Sequence, residues 1–357
     1  MVKNEQVIKF SKDPYIIAEI GINHNGYMSL AKKLIIQSKK AGAHAVKFQK
    51  RDAQDLVNDL NKIGKSSGYL SKNEKDINHP LTKFGSWVYP DQRLELTDKN
   101  YLELKKFCKK IKIDFIVTPW DETSVDKLLK IGVDYLKIAS IDANNYQFCE
   151  YVAKRRKPTI ISTGMCTYEE ILKTQKIFKK YNTKHIFLHC TSAYPCEEKD
   201  KNMNCIPKLR ELLKEDVGFS GHGTGIIGPI TATALGSKVI EKHVTLNKKM
   251  LGPDHAASLE FSLFKEMVDR CSKVKISLGS PIKKFLKSEK TLHGVLIRKF
   301  VARNKILKGK KLNPNNLKTV IVKGNKGILP KDYYKILNKV AKKTFLPGDL
   351  IQYNYLK

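Results

Sequence analysis

Two histidines close short apolar runs in this chain. His222 follows a serine and a glycine in GFSGHG at 218–223, and His243 follows a lysine in VIEKHVT at 239–245. If the two runs are neighbouring parallel strands, both imidazoles emerge at the same end of a sheet, where they can hold one divalent cation. The alternative is a pair of unrelated, partly buried histidines. Other strand ends carry the same kind of polarity: Glu19, Lys47 and Gln49, Thr118, Lys137 and Ser140, Ser162 and Thr163, Thr191, Ser192 and Tyr194, and Ser220. Lys47 and Lys137 sit inside otherwise apolar runs, so burial is costly unless each is paired. Two lysines with serine and threonine hydroxyls at one mouth suit a phosphate or carboxylate ligand. Glu19 is a lone acid ending an apolar run beside Asn23 and His24, a placement that favours a raised pKa and acid–base work.

The elements that must position these residues follow one rhythm. Apolar runs at 15–20, 44–49, 114–118, 134–139, 158–162, 184–189, 216–219 and 238–243 read as strands. Helical spacing follows each, at 30–41, 98–111, 121–131, 145–154, 167–180, 203–214, 226–235 and 261–278. An acidic cap opens the third helix, and Thr167-Tyr168-Glu169-Glu170 is a capping box for the fifth. Strict alternation means parallel strands under helices, and eight units over about 265 residues fit a closed (β/α)8 TIM barrel. A doubly wound open sheet is the alternative, but neither GxGxxG nor GxxxxGK[ST] occurs. The long polar stretch 50–97 is expected to cover something. The barrel is expected over 1–280, a basic linker over 281–292, and a small domain of another class over 293–357, with short strands and one helix at 332–340.

Composition narrows the function classes. The 357 residues are 41% hydrophobic, enough for a core. No apolar run nears the length of a spanning helix, and the start lacks a signal-peptide pattern, so a soluble cytoplasmic protein is expected. Seven cysteines at irregular spacing with no CxxC pair argue for free thiols and against a zinc–thiolate site. The formal net charge of +32 favours anionic ligands and permits non-specific nucleic-acid binding. The lysines read as spread along the whole chain and as solvated helix faces, without the aromatic interleaving of a nucleic-acid surface.

Eight motifs in order carry a resemblance: IAEIGINHNG (17–26), VKFQK (46–50), KIAS (137–140), ISTGM (161–165), HCTSAYP (189–195), GFSGHGTG (218–225), ALGSKVIEKHVTL (234–246) and GPDHAASLE (252–260). From about residue 10 to the end, the chain resembles the sialic acid synthase family, which makes nonulosonic acids from phosphoenolpyruvate. The tail resembles that family's antifreeze-like (SAF, β-clip) domain. The resemblance implies a transferase that joins phosphoenolpyruvate to the open-chain aldehyde of an N-acylated hexosamine such as N-acetylmannosamine, releasing phosphate by C–O cleavage. It implies that His222 and His243 bind Mn2+ or Mg2+ and that Lys47, Thr118, Lys137, Ser140, Ser162 and Ser220 hold the phosphate and carboxylate. Gln49 and Ser192 would join the substrate site. Glu19 would orient the sugar and handle protons, and Tyr194 and Asp254 would contact it. A homodimer is implied, the small domain covering the partner's active site. Gly221 and Ser192 stand where many bacterial members have Asp and Asn, and so look closer to the animal-type branch. Where those members carry an Arg-Pro-Gly turn, this chain has VKGNKG at 322–327, with Lys323 as the substitute. A 9-phosphate-forming or legionaminate/pseudaminate-type synthase of the same family is the first alternative. A deoxy-octulosonate synthase and a non-catalytic carbohydrate-binding homologue are further ones.

Overall fold

The structure is a computed structural model that describes residues 8, 10, 13–52, 94–250, 252, 254–322, 324 and 326–357. Most of the polar stretch expected to act as a cover, residues 53–93, lies outside the described residues, as does Lys323. The chain divides into two compact units, 1–279 and 280–357.

In the first unit eight parallel strands hydrogen-bond in sequence order: β1 (Tyr15–Gly21), β2 (Ala45–Lys50), β3 (Asp114–Pro119), β4 (Tyr135–Ile138), β5 (Thr159–Ser162), β6 (His185–Cys190), β7 (Val217–Gly221) and β8 (Val239–Thr245). β1 also pairs with β8, which closes the barrel and rules out the open sheet. The connecting helices are α1 (Met28–Lys40), α2 (Asp98–Ile111), α3 (Glu122–Ile131), α4 (Tyr146–Lys154), α5 (Tyr168–Lys180), α6 (Cys205–Leu213), α7 (Ile227–Ala234) and α8 (Phe261–Leu278). The caps are those the sequence asks for. Asp121 accepts the Ser124 amide, and Thr167 and Glu170 form the reciprocal capping box. β7 and β8 run further than their apolar stretches because Ser220 and Gly221 stay in register with Glu241 and Lys242.

Side chains on a strand alternate between faces, and here that alternation builds the site. The inward residues at the start of the strands are apolar, among them Ile17, Ala45, Ile116, Ile160, Ile186 and Val239, and form a buried cluster of their own. Two residues further along the same faces the side chains turn polar: Glu19, Lys47, Thr118, Ser162 and Glu241. The outward residues, such as Ala18, Val46, Phe115, Leu136 and Ile240, pack with the helices in a separate, larger core. An apolar plug below and a polar layer above leave one open end for chemistry.

The second unit is small. β9 (Arg298–Ala302) pairs antiparallel with β10 (Leu317–Ile321), around a core that includes Phe300, Leu312, Ile336 and Phe345. The helix expected at 332–340 is only one turn, Tyr333–Ile336. Asn338 adopts a left-handed φ of 63° and its amide reaches Leu312 O at 2.9 Å, and Val340 pairs with Lys311, so the backbone is committed elsewhere. A short helix, Lys290–Val295, straddles the boundary expected between linker and small domain at 292/293. The charge is not evenly spread as expected. Residues 280–357 hold 20 of the lysines and arginines and only three of the acids, so over half of the net +32 sits on this unit.

Candidate active site at the barrel mouth

Strand register brings the polar residues together. On β1, Glu19 stands opposite Lys47 of β2 on one side and His243 of β8 on the other. Gln49 stands opposite Thr118 of β3, and Ser220 opposite Glu241. Gly21 ends β1 at a φ of +54°, and a Cβ there would lie 3.0 Å from Asp254 Oδ2 and 3.3 Å from Glu19 Oε1. Glycine lets the two carboxylates crowd this turn.

These strand ends line a cleft of about 220 Å3, room for a small ligand. Of the residues expected from the sequence, Glu19, Lys47, Gln49, Thr118, Lys137, Ser140, Ser162, Ser192, Tyr194, Ser220, His222 and His243 all face it. Asp254 does not line the cleft. It is buried just beyond, its Oδ2 3.7 Å from His243 Nδ1. Three other residues named for their polarity serve the scaffold or lie aside. Thr163 Oγ1 donates to Leu188 O, Thr191 Oγ1 donates to Asp200 O, and His24, though buried, is not in the cleft wall.

One half of the cleft is cationic. Lys47 Nζ lies 3.0 Å from Glu19, 3.4 Å from Glu241 and 3.1 Å from Thr118 Oγ1. Burial opposes its charge, but Glu19 and Glu241 outweigh that and hold the pKa above its usual value. Lys137 Nζ donates to Ser162 Oγ at 2.6 Å and to Ile138 O at 2.9 Å, and has no carboxylate in contact among the described residues. Burial therefore pulls its pKa down to about 8, partly offset by Glu241. Glu241 was missed by the reading of the sequence. It is buried, accepts from Ser220 Oγ at 3.1 Å and is held ionised, against its burial, by Lys137 and Lys47. Its position two residues before His243 on one strand was the available signal.

The other half is imidazole. The His222 and His243 rings have centroids 5.5 Å apart. His222 Nδ1 is 3.0 Å from Thr191 O, which fixes the tautomer with Nδ1–H donating and leaves the Nε2 lone pair to accept from Tyr194 OH at 2.8 Å. Burial lowers the His222 pKa to about 4, and burial with the nearby His222 ring lowers that of His243 well below the usual value. Both rings are neutral at pH 7, the form that binds metals. Burial, opposed by Lys47 and Gln49 and reinforced by Glu241, raises the pKa of Glu19, and burial with the field of Glu19 raises Asp254 to about 7. Glu19 Oε2, Glu241 Oε2, both Asp254 oxygens and His243 Nδ1 are buried without a hydrogen-bond partner. Such orphans clustered at one mouth are unmet demand for ligands.

Gly164, on the loop after β5, packs against two of these hydroxyls: a Cβ there would lie 2.2 Å from Ser192 Oγ and 2.8 Å from Ser140 Oγ. Gly164→Ala must displace both serines, so kcat/KM is expected to fall roughly 10- to 100-fold with melting temperature little changed. Kinetics and a melt on the same sample check this, and unchanged kcat/KM would contradict it.

Residues 34–283 match the NeuB family. The N-acetylneuraminate-9-phosphate synthase of Homo sapiens is 35% identical over 342 residues, covering 94% of this chain and 91% of that protein. The N,N'-diacetyllegionaminic acid synthase of Campylobacter jejuni is 36% identical over 344 residues, covering 96% and 99%. A crystal structure of an N-acetylneuraminic acid synthetase from Leptospira borgpetersenii superposes with a TM-score of 0.68 at 31% identity, covering 80% of this chain and 95% of that one. With two-thirds of the chain inside the family match and whole-length relatives above 30% identity, this protein belongs to the NeuB family.

Proposed function

We propose that the protein condenses phosphoenolpyruvate with the open-chain aldehyde of an N-acylated hexosamine to form a nonulosonic acid. The observation that carries this is the register of His243, Glu19 and Lys47 on three adjacent strands, which sets a neutral imidazole, a carboxylate and an ammonium side by side. C3 of the enol phosphate bonds to the aldehyde carbon, whose oxygen takes a proton. Water adds to C2 and inorganic phosphate leaves with the bridging oxygen. Lys47 with Thr118, and Lys137 with Ser162 and Ser140, hold the phosphate and carboxylate, and Ser220 is positioned by Glu241. Glu19, with Oε2 unpartnered, takes hydroxyls and protons of the sugar, and Asp254 stands behind His243 just beyond the cleft wall. Gln49 fixes Glu19 by donating at 3.1 Å.

The donor set fits a divalent cation. His243 Nδ1 is orphaned, and the tautomer leaves His222 a Nε2 lone pair that Tyr194 OH now occupies and a cation would take over. No group of three His, Cys, Asp or Glu side chains suited to a metal occurs among the described residues, so His222 and His243 would leave positions open to water and sugar. When bound, Mn2+ or Mg2+ supplies Lewis-acid polarisation of the aldehyde oxygen. A homodimer in which the small, antifreeze-like unit covers the partner's site completes the proposal. It is supported by apolar side chains left exposed at Ile282 (71%), Phe285 (56%) and Leu292 (63%). No described helix is long and apolar enough to cross a membrane.

Phosphate release from phosphoenolpyruvate with Mn2+ tests the reading against N-acetylmannosamine, its 6-phosphate and 2,4-diacetamido sugars. Release with one of them supports it, and none with any sugar counts against it. The 6-phosphate is the second substrate to favour, because the relative from Homo sapiens is a 9-phosphate synthase. Lys137 adds a pH signature. It grips an anion only while charged, and its pKa lies near 8. For phosphoenolpyruvate, kcat/KM is expected to fall about tenfold per unit as pH rises past that value. A profile flat through pH of about 9.5 would remove Lys137 from the anion site.

A further inference from the structure

Asp254 is held in place by something other than its own side chain. It is 2% exposed, and among the described residues neither carboxylate oxygen has a hydrogen-bond partner. It crowds Glu19 over Gly21, with Oδ2 3.7 Å from His243 Nδ1. A buried carboxylate in that state is costly. Left free, it would turn toward a donor or carry its turn toward water.

Two buried clamps prevent this, and none of their residues lines the cleft. Asn23, Thr245, His255 and Ser258 are each 1% exposed or less. The first clamp is Ser258. Its Oγ donates to Asp254 O at 2.6 Å and accepts from Asn23 Nδ2 at 2.9 Å, and the same Asn23 nitrogen donates to Val244 O at 2.9 Å. The backbone of the 254–258 turn is thereby tied to the loop after β1 and to β8 at once. The second clamp is His255, with Nε2 3.3 Å from Asn25 Oδ1 and Nδ1 2.7 Å from Thr245 Oγ1. Burial lowers the pKa of this histidine to about 4, so the ring is neutral at pH 7. Asn25 Oδ1 is an acceptor, which puts the ring proton on Nε2 and leaves Nδ1 to accept from the Thr245 hydroxyl. Thr245 Oγ1 also lies 3.1 Å from Asn247 O, but its single proton goes to the nearer ring nitrogen.

We propose that Thr245, His255 and Ser258 are positioning residues that hold the Asp254 carboxylate against His243 and Glu19. The reaction depends on them through that acid, although none of the three reaches the substrates. For the reaction the inference rests on the proposed function, but the hold on Asp254 does not.

The test removes one hydroxyl from each clamp of the full-length protein, as Thr245→Val and Ser258→Ala, with Thr245→Ser as the variant that keeps it. Crystal structures read position without turnover. The Asp254 carboxylate is expected to move by about 1 Å or more in Thr245→Val and Ser258→Ala, with Glu19 and Lys47 in place, and to stay put in Thr245→Ser. In phosphate-release kinetics each removal is expected to lower kcat/KM for the sugar roughly 10- to 100-fold, with KM for phosphoenolpyruvate within about twofold and Thr245→Ser near wild type. In an Asp254→Asn background the same removals are expected to cost less than about threefold, because the acid they hold is already gone. An unmoved carboxylate overturns the proposal whatever the kinetics. So does a moved carboxylate with unchanged kcat/KM for the sugar, or with equal losses in both backgrounds. If the wild type turns over none of the sugars, the proposed function fails, while the crystal structures still decide whether the clamps hold Asp254.

Discussion

Replacing His243 with asparagine is expected to lower sugar-dependent phosphate release on the order of 10^3-fold, because the proposed cation would lose one of its two protein ligands and with it the grip needed to polarise the aldehyde. The substitution keeps size and polarity, and the orphaned Nδ1 shows that His243 has no hydrogen bond there whose loss would disturb the fold. Stability is therefore expected to change little. Binding of Mn2+, followed by titration of its spectroscopic signal without substrate, is expected to weaken at least about tenfold. Retained affinity with lost activity would assign His243 to the sugar rather than to the cation. Retained activity would remove it from the site.

Lys47→Met is expected to carry the largest stability cost in the barrel as well as a loss of activity. Lys47 is 4% exposed and is the ammonium in contact with both Glu19 and Glu241. Methionine fills the space but leaves two buried carboxylates facing each other. Breaking a buried pair in this way costs about 3–5 kcal/mol. The sign with pH follows. Uncompensated burial raises a carboxyl pKa, so in the variant the neutral acids are the cheaper forms, and its deficit against wild type shrinks as pH falls from about 7 to about 5. Adding Glu241→Gln to Lys47→Met is expected to recover part of the stability and none of the activity. Denaturant melts of the single and double variants at both pH values check this. A deficit independent of pH would mean that the carboxylates are already neutral in the native protein.

Much of this molecule was legible in its sequence, for reasons that can be named. A parallel barrel buries both faces of each strand, so its strands are short unbroken apolar runs, and α2 and α8 are amphipathic enough to be bounded to the residue. The lysines at 47 and 137 stood out because a charge inside such a run is expensive. What escaped has physical causes too. Glu241 is an acid inside an apolar run, as Lys47 is a base inside one, but the histidine after it drew the eye, and only the two-residue alternation marks it as facing the same way. Asp254 follows β8 in a turn, where no periodicity applies, and only the family resemblance pointed to it. The short helix near 332 stops after one turn because the strand bridge at Val340 and the left-handed Asn338 outcompete helical propensity. The charge asymmetry was in the sequence throughout, but only the division into two units gave it a boundary.

The barrel mouth is claimed to break the C–O bond of an enol phosphate while joining its carbon to a sugar aldehyde. Phosphoenolpyruvate carrying 18O in the bridging position, incubated with the active sugar and Mn2+, tests this most directly through the mass of the inorganic phosphate. The expected result is phosphate heavier by one label, formed in step with a sugar acid extended by the three-carbon unit. Unlabelled phosphate, with the heavy oxygen kept on the organic product, would contradict it.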